Sequence, residues 1–371
     1  MEFEIGRNIF LDAIQRTLGI VEKKTTMPIL NNVLIKASQE GIKVFATDRE
    51  ISLVADYEAQ VSHIGDVTLS AKKLHEMIRE IQGDKIHFKR NDKYVVTLTA
   101  QKVIYKIPGI SSDEFPTVVF NEDLKYFKMR SQTMKDMILK TAFSMSHDEV
   151  RKNLNGVFFD SDADRQGVLK AVATDGHRLA IVSVYSGDKD FLQLEKGIII
   201  PRKGVVEIRR LLENESGDIA IGVQQGMCAI KTDNTMLKIS LIDAEYPDYR
   251  RVIPNEKGIV VQFEKEAALH ALRRMSVISS ERYSGVIIRL QNGKMILNST
   301  NPDVGEANDE IEAVYQGGDL EIGYNVNYLI DAIEVIEEKN IIFEIGVGVK
   351  PGVIRPADNN NHFCIVMPLR I

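Results

Sequence analysis

The sequence contains two cysteines, Cys228 and Cys364, and neither belongs to a Cys-x-x-Cys pair or a histidine-rich cluster. That pattern excludes a disulfide framework and offers no ligand spacing for a structural zinc. The histidines are scattered at positions 63, 75, 87, 147, 177, 270 and 362, with no HExxH arrangement. A Walker loop and a GxSxG elbow are also missing. The glycine-rich GVGVKPG at 346–352 precedes no helical pattern, so it is not expected to cradle phosphate. No metal, cofactor or catalytic residue is therefore expected. No apolar run approaches the roughly 20 residues of a membrane-crossing helix, and acids stand among the first residues. The expected location is the cytoplasm, without a membrane partner.

What is present describes a globular protein. At 371 residues the chain exceeds a single core, so two or three domains are expected. Lys and Arg number 47 against 53 Asp and Glu, for a net charge of −6. That balance argues against nucleic-acid binding by the whole surface but leaves room for a local basic stripe.

Internal repetition organises the chain. LIKASQEGIKVFATD (34–48), VFFDSDADRQGVLKAVATD (157–175) and VIIRLQNGKMILNST (286–300) each read as strand, polar turn, strand. Each carries a threonine at or near its end, at Thr47, Thr174 and Thr300, spaced 127 and then 126 residues apart. An apolar helical face precedes each pair: Ile9, Phe10, Ala13, Ile14, Leu18 and Val21; Met134, Met137, Ile138, Ala142 and Met145; Ala268, Leu269, Leu272 and Met275. A second such face follows each pair, through Leu74 and Ile78, Val205 and Ile208, and Leu329 and Ile333. The pattern predicts an α+β protein of three repeated domains, each with two helices and about eight strands. The expected boundaries are 1–125, 126–254 and 255–371. A body of this kind suits a scaffold better than an enzyme with one asymmetric site.

Basic residues recur on the second helices. Lys72, His75 and Arg79 share a face at i, i+3 and i+7. Arg202 and Arg209, with Lys203 and Arg210 beside them, repeat the arrangement, and His270, Arg273 and Arg274 form a further basic face. Side by side, such helices would line a basic surface inside an acidic protein. The last helix departs from this, with Asp331, Glu334, Glu337 and Glu338.

Two stretches could carry a site. In ATDGHRLA (173–180), Asp175 and His177 could be an acid–base pair, but a third member is lacking and the intervening Gly suggests a turn. The stretch CIVMPLRI (364–371) is apolar and interrupted by Pro368, which cannot extend a strand's hydrogen bonding. Cys364 to Val366 are expected to form a core strand, and Met367 to Ile371 to lie over the surface as adaptable contact area.

Taken in order, MPILNNVLI, NLNGVFF, ATDGHRLA, IIIPRKGVVEIRRLL, YPDYRRVIP and the VMPLRI stretch closely resemble the bacterial DNA polymerase III beta-subunit family, the sliding clamps. The resemblance runs the full length and includes the threefold repeat. It implies a non-catalytic processivity factor, built as a head-to-tail homodimer whose six domains close a ring around double-stranded DNA without reading sequence. It further implies that Lys24, Lys72, Lys73, Arg79, Arg151, Arg202 and Lys203 face DNA, and that Val277 and Ile278 belong to the dimer interface. A peptide-binding groove between the second and third domains is implied at Leu154, Thr174, Gly176, His177, Arg178, Leu179, Pro247, Arg251, Val252, Tyr283, Asn325, Tyr328 and Val349. The segment Ile365, Val366, Met367, Pro368, Leu369, Arg370 and Ile371 completes that groove. The implied partners are the clamp loader, the replicative polymerase alpha subunit, other DNA polymerases, mismatch-repair proteins and ligase, each docking a short peptide through Leu and Phe side chains. Two departures touch the groove: Tyr283 stands where Phe is common, and Lys350 and Pro351 replace small polar residues. Two further readings stay open on the sequence, a hydrolase centred on Asp175 and His177, and a triplicated scaffold that never encircles DNA.

Overall fold

Short amphipathic helices lie against antiparallel strands, and in α2 and α6 a side chain sets where the helix begins. In the computed structural model these are α1 (Arg7–Gln15), α2 (Ala71–Glu80), α3 (Ser131–Leu139), α4 (Arg202–Leu211), α5 (Lys265–Ile278) and α6 (Val326–Glu334), six α-helices among the described residues. The structure describes residues 1–21, 27–118, 124–161, 165–186, 194, 196–256, 258–280, 284–291, 293–346, 348 and 350–369. Ser70 caps α2 by accepting from the Lys73 N–H, and Asn325 caps α6 by accepting from Asn327 and Tyr328 N–H groups. Arg79 in the last turn of α2, and Arg209 and Arg210 in that of α4, suit the negative end of the helix dipole.

The predicted apolar faces are mostly buried. Phe10, Ala13 and Ile14 of α1, Leu74 and Ile78 of α2, and Leu269, Leu272 and Met275 of α5 all point inward. Ile9 is an exception: it is exposed, because α1 runs only from Arg7 to Gln15 and buries the stripe one position further on. Leu18 and Val21 lie beyond that helix in a turn.

The chain forms two compact bodies, one of residues 1–135 and 203–241, the other of 136–202 and 242–371. In the first, a five-stranded sheet runs in the order Gln60–His63, Glu2–Gly6, Lys85–Arg90, Val95–Ala100, Val103–Pro108. Its core stacks Phe3 on Phe88 with centroids 4.5 Å apart, and Phe10 of α1 meets each of them edge-on at 6.2 Å. An eight-stranded sheet in the same body joins Thr235–Ser240 to Ile51–Tyr57 as antiparallel neighbours. In the second body an eight-stranded sheet joins Arg178–Tyr185 to His362–Val366, with Arg178 opposite Val366. A four-stranded sheet, in the order Gly305–Glu312, Lys294–Asn301, Gly285–Gln291, Leu320–Asn325, completes it.

A threefold sequence repeat thus yields two bodies because each eight-stranded sheet pairs strands from different repeats. All ladders in the sheets are antiparallel, as the alternating strand patterns predict. Gly156, in the NLNGVFF stretch, lets the strand Gly156–Ser161 approach Ile198–Pro201. A Cβ there would stand 2.3 Å from the Ile200 carbonyl oxygen.

His362 is buried in the strand His362–Val366, its Nε2 3.7 Å from the Cys364 Sγ, near the Lys140–Glu337 ion pair. Burial first, and then the Lys140 ammonium, push its pKa down to about 4. A histidine depressed in the folded state binds its proton preferentially in the unfolded chain, so stability falls as pH drops below the ordinary value of about 6.5. At pH 5 the loss from this one group should be about 2 kcal/mol. The check is urea unfolding of the wild type and His362→Gln at pH 7 and pH 5, where the variant should lack that part of the pH slope.

Candidate functional site

The strands Val168–Thr174 and Arg178–Tyr185 meet in the turn Asp175-Gly176-His177, with Thr174 opposite Leu179. Gly176 has φ +92°, in the left-handed region that favours glycine. Thr174 Oγ1 donates to the Arg178 carbonyl at 2.6 Å and accepts from the Gly176 N–H at 3.1 Å. Asp175 Oδ1 accepts from the backbone N–H groups of His177 and Arg178 at 2.9 and 3.0 Å, and Oδ2 accepts from Arg178 Nε at 3.1 Å. The carboxylate is therefore committed to backbone and to Arg178. The His177 residue is exposed, and its ring makes no hydrogen bond to Asp175. The acid–base reading of this pair fails on geometry.

The first body carries a copy of this turn. Thr47 Oγ1 donates to Ile51 O at 3.0 Å, Arg49 N–H donates to Thr47 Oγ1 at 3.0 Å, and Asp48 Oδ1 accepts from the N–H groups of Glu50 and Ile51. Arg49, at φ +81°, stands where the second copy has Gly176. The second oxygen of buried Asp48 takes Lys203 Nζ of α4, which also donates to the Ile20 carbonyl at 3.3 Å. Recurrence in both bodies identifies the Thr-Asp pair as a turn-holding device.

Beside the Asp175 turn an apolar floor forms from Leu154, Val172, Leu179, Ile181, Ile199, Tyr246, Tyr249 and Ile365. Tyr246 stacks on Phe158 at 4.5 Å with the rings 3° from parallel. The strand His362–Val366 ends there, but its ladder continues one step, Met367 N–H donating to His177 O at 3.0 Å. Pro368 has no N–H to give. Leu369 N–H then bonds Gly323 O at 2.8 Å, crossing to the four-stranded sheet, where its Cδ1 lies close over Gly285. Ile365 and Val366 are buried in the strand expected over Cys364 to Val366, Ile365 within this floor and Val366 on the strand's other face, in the cluster with Cys364. Met367, Leu369 and Val252 are exposed. A cavity of about 500 Å³ opens beside them, lined among others by Arg251, Val252, Ile253, Pro351, Val353 and Met367.

Arg178 and Tyr328 make the other wall. The guanidinium lies over the Tyr328 ring at 4.4 Å and near the Phe143 ring at 5.4 Å. It pairs with Asp331 of α6 at 2.5 Å and donates to Phe143 O at 2.6 Å. Burial raises the Tyr328 pKa, with the Asp175 carboxylate adding to the effect. Asn325 caps α6 and donates through Nδ2 to Ser284 Oγ at 3.0 Å. Pro247 and Arg251 are exposed, Arg251 pairing with Asp248 at 3.0 Å. Lys350 pairs with Glu256 at 2.5 Å. Tyr283, Val349, Arg370 and Ile371 lie outside the described residues, as does Lys24. Phe143 and Asp331 are site residues that the sequence does not single out: one follows a helix end, and the other reads only as one of four acids on the helix that departs from the basic pattern.

The basic residues divide into two groups. Lys72, Lys73 and Arg79 are exposed on α2, facing away from Leu74 and Ile78, with Glu76 within 4.0 and 2.8 Å of the two lysines. Arg151 is exposed, 3.6 Å from Asp148. Arg202 is instead spent on protein, donating to the carbonyls of Met145 and Ser146 at 2.9 and 2.7 Å and to Asn155 Oδ1 at 3.2 Å. Burial lowers its pKa. Lys203 is held by Asp48 in the same way. The expected basic face of α5 is neutralised, Arg273 by Glu334 at 2.9 Å and Arg274 by Asp309 at 2.7 Å. Val277 is exposed at the end of α5, while Ile278 is half-buried and accepts at its carbonyl from Asn301 Nδ2. Among the described residues, no group of His, Cys, Asp or Glu could hold a metal ion, and no helix is long and apolar enough to cross a membrane.

Comparison with known proteins gives matches along the whole chain. Profiles of the DNA polymerase III beta subunit match at residues 1–119 (N-terminal domain), 128–248 (central domain) and 250–370 (C-terminal domain). The beta sliding clamp of Pseudomonas aeruginosa is 30% identical over 372 residues, covering 100% of both chains. That of Escherichia coli K12 is 28% identical over 375 residues, again covering both chains fully. The crystal structure of a sliding clamp from Bartonella birtlesii bound to griselimycin superposes with a TM-score of 0.95 at 29% identity and full coverage of both chains.

The turn geometry makes a sharp distinction between neighbours. Asp175→Ala should cost about 2–3 kcal/mol by leaving two N–H groups and Arg178 without their acceptor. His177→Ala should stay within about 0.5 kcal/mol. Thermal unfolding of the two variants checks both.

Proposed function

Since this chain belongs to the family of bacterial beta sliding clamps, the non-catalytic processivity subunits of DNA polymerase III, we propose that it works as a ring with one peptide-docking groove per protomer. Three clamp domains, at 1–125, 126–254 and 255–371, repeat in each chain, and two chains join head to tail around duplex DNA. The family acts on DNA together with the polymerase. The finer assignments that follow are our reading of this chain's residues.

The observation that carries the reading is the junction at Met367. Its N–H is fixed to the Asp175 turn while its side chain, with Leu369 and Val252, stands exposed beside a buried apolar floor. Exposed apolar groups on a rigid frame, rimmed by a few polar groups, suit an extended peptide that inserts Leu and Phe side chains. The groove comprises Leu154, Thr174, Gly176, His177, Leu179, Pro247, Arg251, Val252, Asn325, Tyr328 and Met367 to Leu369, with Tyr283, Val349, Arg370 and Ile371. Its users are the clamp loader, the polymerase alpha subunit, other polymerases, mismatch-repair proteins and ligase, all in the cytoplasm. The Bartonella birtlesii clamp is bound to griselimycin, and our reading is that this chain would take the same compound in this groove, which makes it a probe of that reading.

Lys72, Lys73, Arg79 and Arg151 face the phosphates, with Lys24. They attract the backbone without reading bases, and topology supplies retention, so the ring slides. Ring closure uses two sheet edges, Val103–Pro108 of one protomer and Gly305–Glu312 of its partner, with Val277 and Ile278 alongside. Both strands end their sheets. Lys102 and Lys106 on one edge complement Glu306 and Glu312 on the other.

Loaded onto nicked circular DNA with a cognate loader and ATP, the protein should stay on the circle and leave once the circle is cut. Equal retention on circle and linear product would mean simple adhesion and would favour the scaffold reading. Removing Met367 to Ile371 should leave retention intact and reduce griselimycin binding at least 100-fold, as expected when an interface loses its central apolar contacts. Unchanged binding after truncation would place the peptide site elsewhere.

A further inference from the structure

Arg178 has little surface to offer a ligand. Its Nε, Nη1 and Nη2 donate to Asp175, Asp331 and Phe143 O at 3.1, 2.5 and 2.6 Å, and its side chain is 11% exposed. Those bonds join the 174–178 turn, α6 and the segment after α3. The guanidinium also covers the Tyr328 ring at 4.4 Å. Only a planar cation with divergent donors makes these contacts together, and a lysine ammonium would lose the stacking and most of the bonds.

The copy of the turn in the first body shows what the turn itself requires. There Ile51 holds the position of Arg178, and Asp48 receives its cation from Lys203 of α4 instead. The turn therefore needs a cation on its aspartate but does not need an arginine at the start of the following strand. An arginine at that place adds the link to Asp331 and Tyr328, which only the second copy has.

We propose that Arg178 is a positioning residue of the peptide groove. It fixes the plane of the Tyr328 ring and the distance between turn and α6, and it does not touch the docked peptide. The proposal rests on the groove reading above and replaces the expectation that Arg178 lines the peptide directly. Positioning acts on how long a peptide stays, because a loosened wall lets Leu and Phe side chains escape.

The test uses full-length protein and two fluorescein-labelled hexapeptides with the same Leu and Phe, one carrying Asp and the other Asn between them. Arg178→Lys, Asp331→Asn and the double variant are compared with wild type by fluorescence anisotropy and by dissociation rate against unlabelled peptide. Each single variant should speed dissociation about tenfold for both peptides. The double variant should be no worse than the worse single one, because both changes break one network. A loss of folded protein would lower the signal amplitude without changing the rate, and retention on circular DNA should not change. A loss confined to the Asp peptide would mean direct contact and overturn the proposal. So would additive losses in the double variant, or wild-type rates in both single variants. If the wild type binds neither peptide while retention on circles is normal, the groove reading itself fails, and this proposal with it.

Discussion

The pairing of strand Arg178–Tyr185 with strand His362–Val366 is the constraint on which the site depends. It aligns Arg178 with Val366, and one further bond, Met367 N–H to His177 O, sets where the exposed segment begins. From that point Pro368 ends the ladder, and Leu369 reaches the four-stranded sheet. A one-residue slip would exchange the two faces, taking Ile365 out of the cluster it shares with Leu179 and putting Cys364 or Val366 in its place. Register is thus coupled to the apolar content of the strand: Cys364, Ile365 and Val366 are all buried, on both faces.

A second theme is how two aspartates, Asp48 and Asp175, are used. Each accepts two backbone N–H groups with one oxygen and a cation with the other. Such charge-assisted bonds are strong, and they make a tight turn rigid at the end of a long hairpin. The cation differs between the copies, and the difference separates a plain structural turn from one that can shape a neighbouring wall. Chemistry that looks catalytic in one dimension is here a device for holding backbone.

Much of this was legible in the sequence. The helical stripes, the alternating strands and the threefold period follow from apolar spacing, which reports burial directly. The turn at Asp175-Gly176-His177 followed from residue type, since Gly176 adopts a positive φ. Charge was harder to read. Arg202, Lys203, Arg273 and Arg274 appear basic in one dimension, but their partners are Met145 and Ser146 carbonyls, Asp48, Glu334 and Asp309, which are distant in sequence. Spacing along a helix shows which face a cation takes and is silent on what it meets there. For the same reason Phe143 and Asp331 escaped notice, because only the guanidinium of Arg178 brings them together. The grouping into two bodies was also hidden, since strand pairing between repeats leaves no local mark on either strand.

The ladder between residues 178–182 and 362–366 spans roughly half the chain, so it has a consequence for biosynthesis. Its first strand leaves the ribosome long before its second exists, and that edge must wait unpaired through the synthesis of nearly two hundred further residues. Contacts so distant in sequence form late and slowly. The apolar cluster that includes Leu179 and Ile365 cannot close until translation has passed residue 366. A chain that stops before residue 362 thus lacks the strand that completes this sheet and contributes Ile365 to the apolar cluster around Leu179.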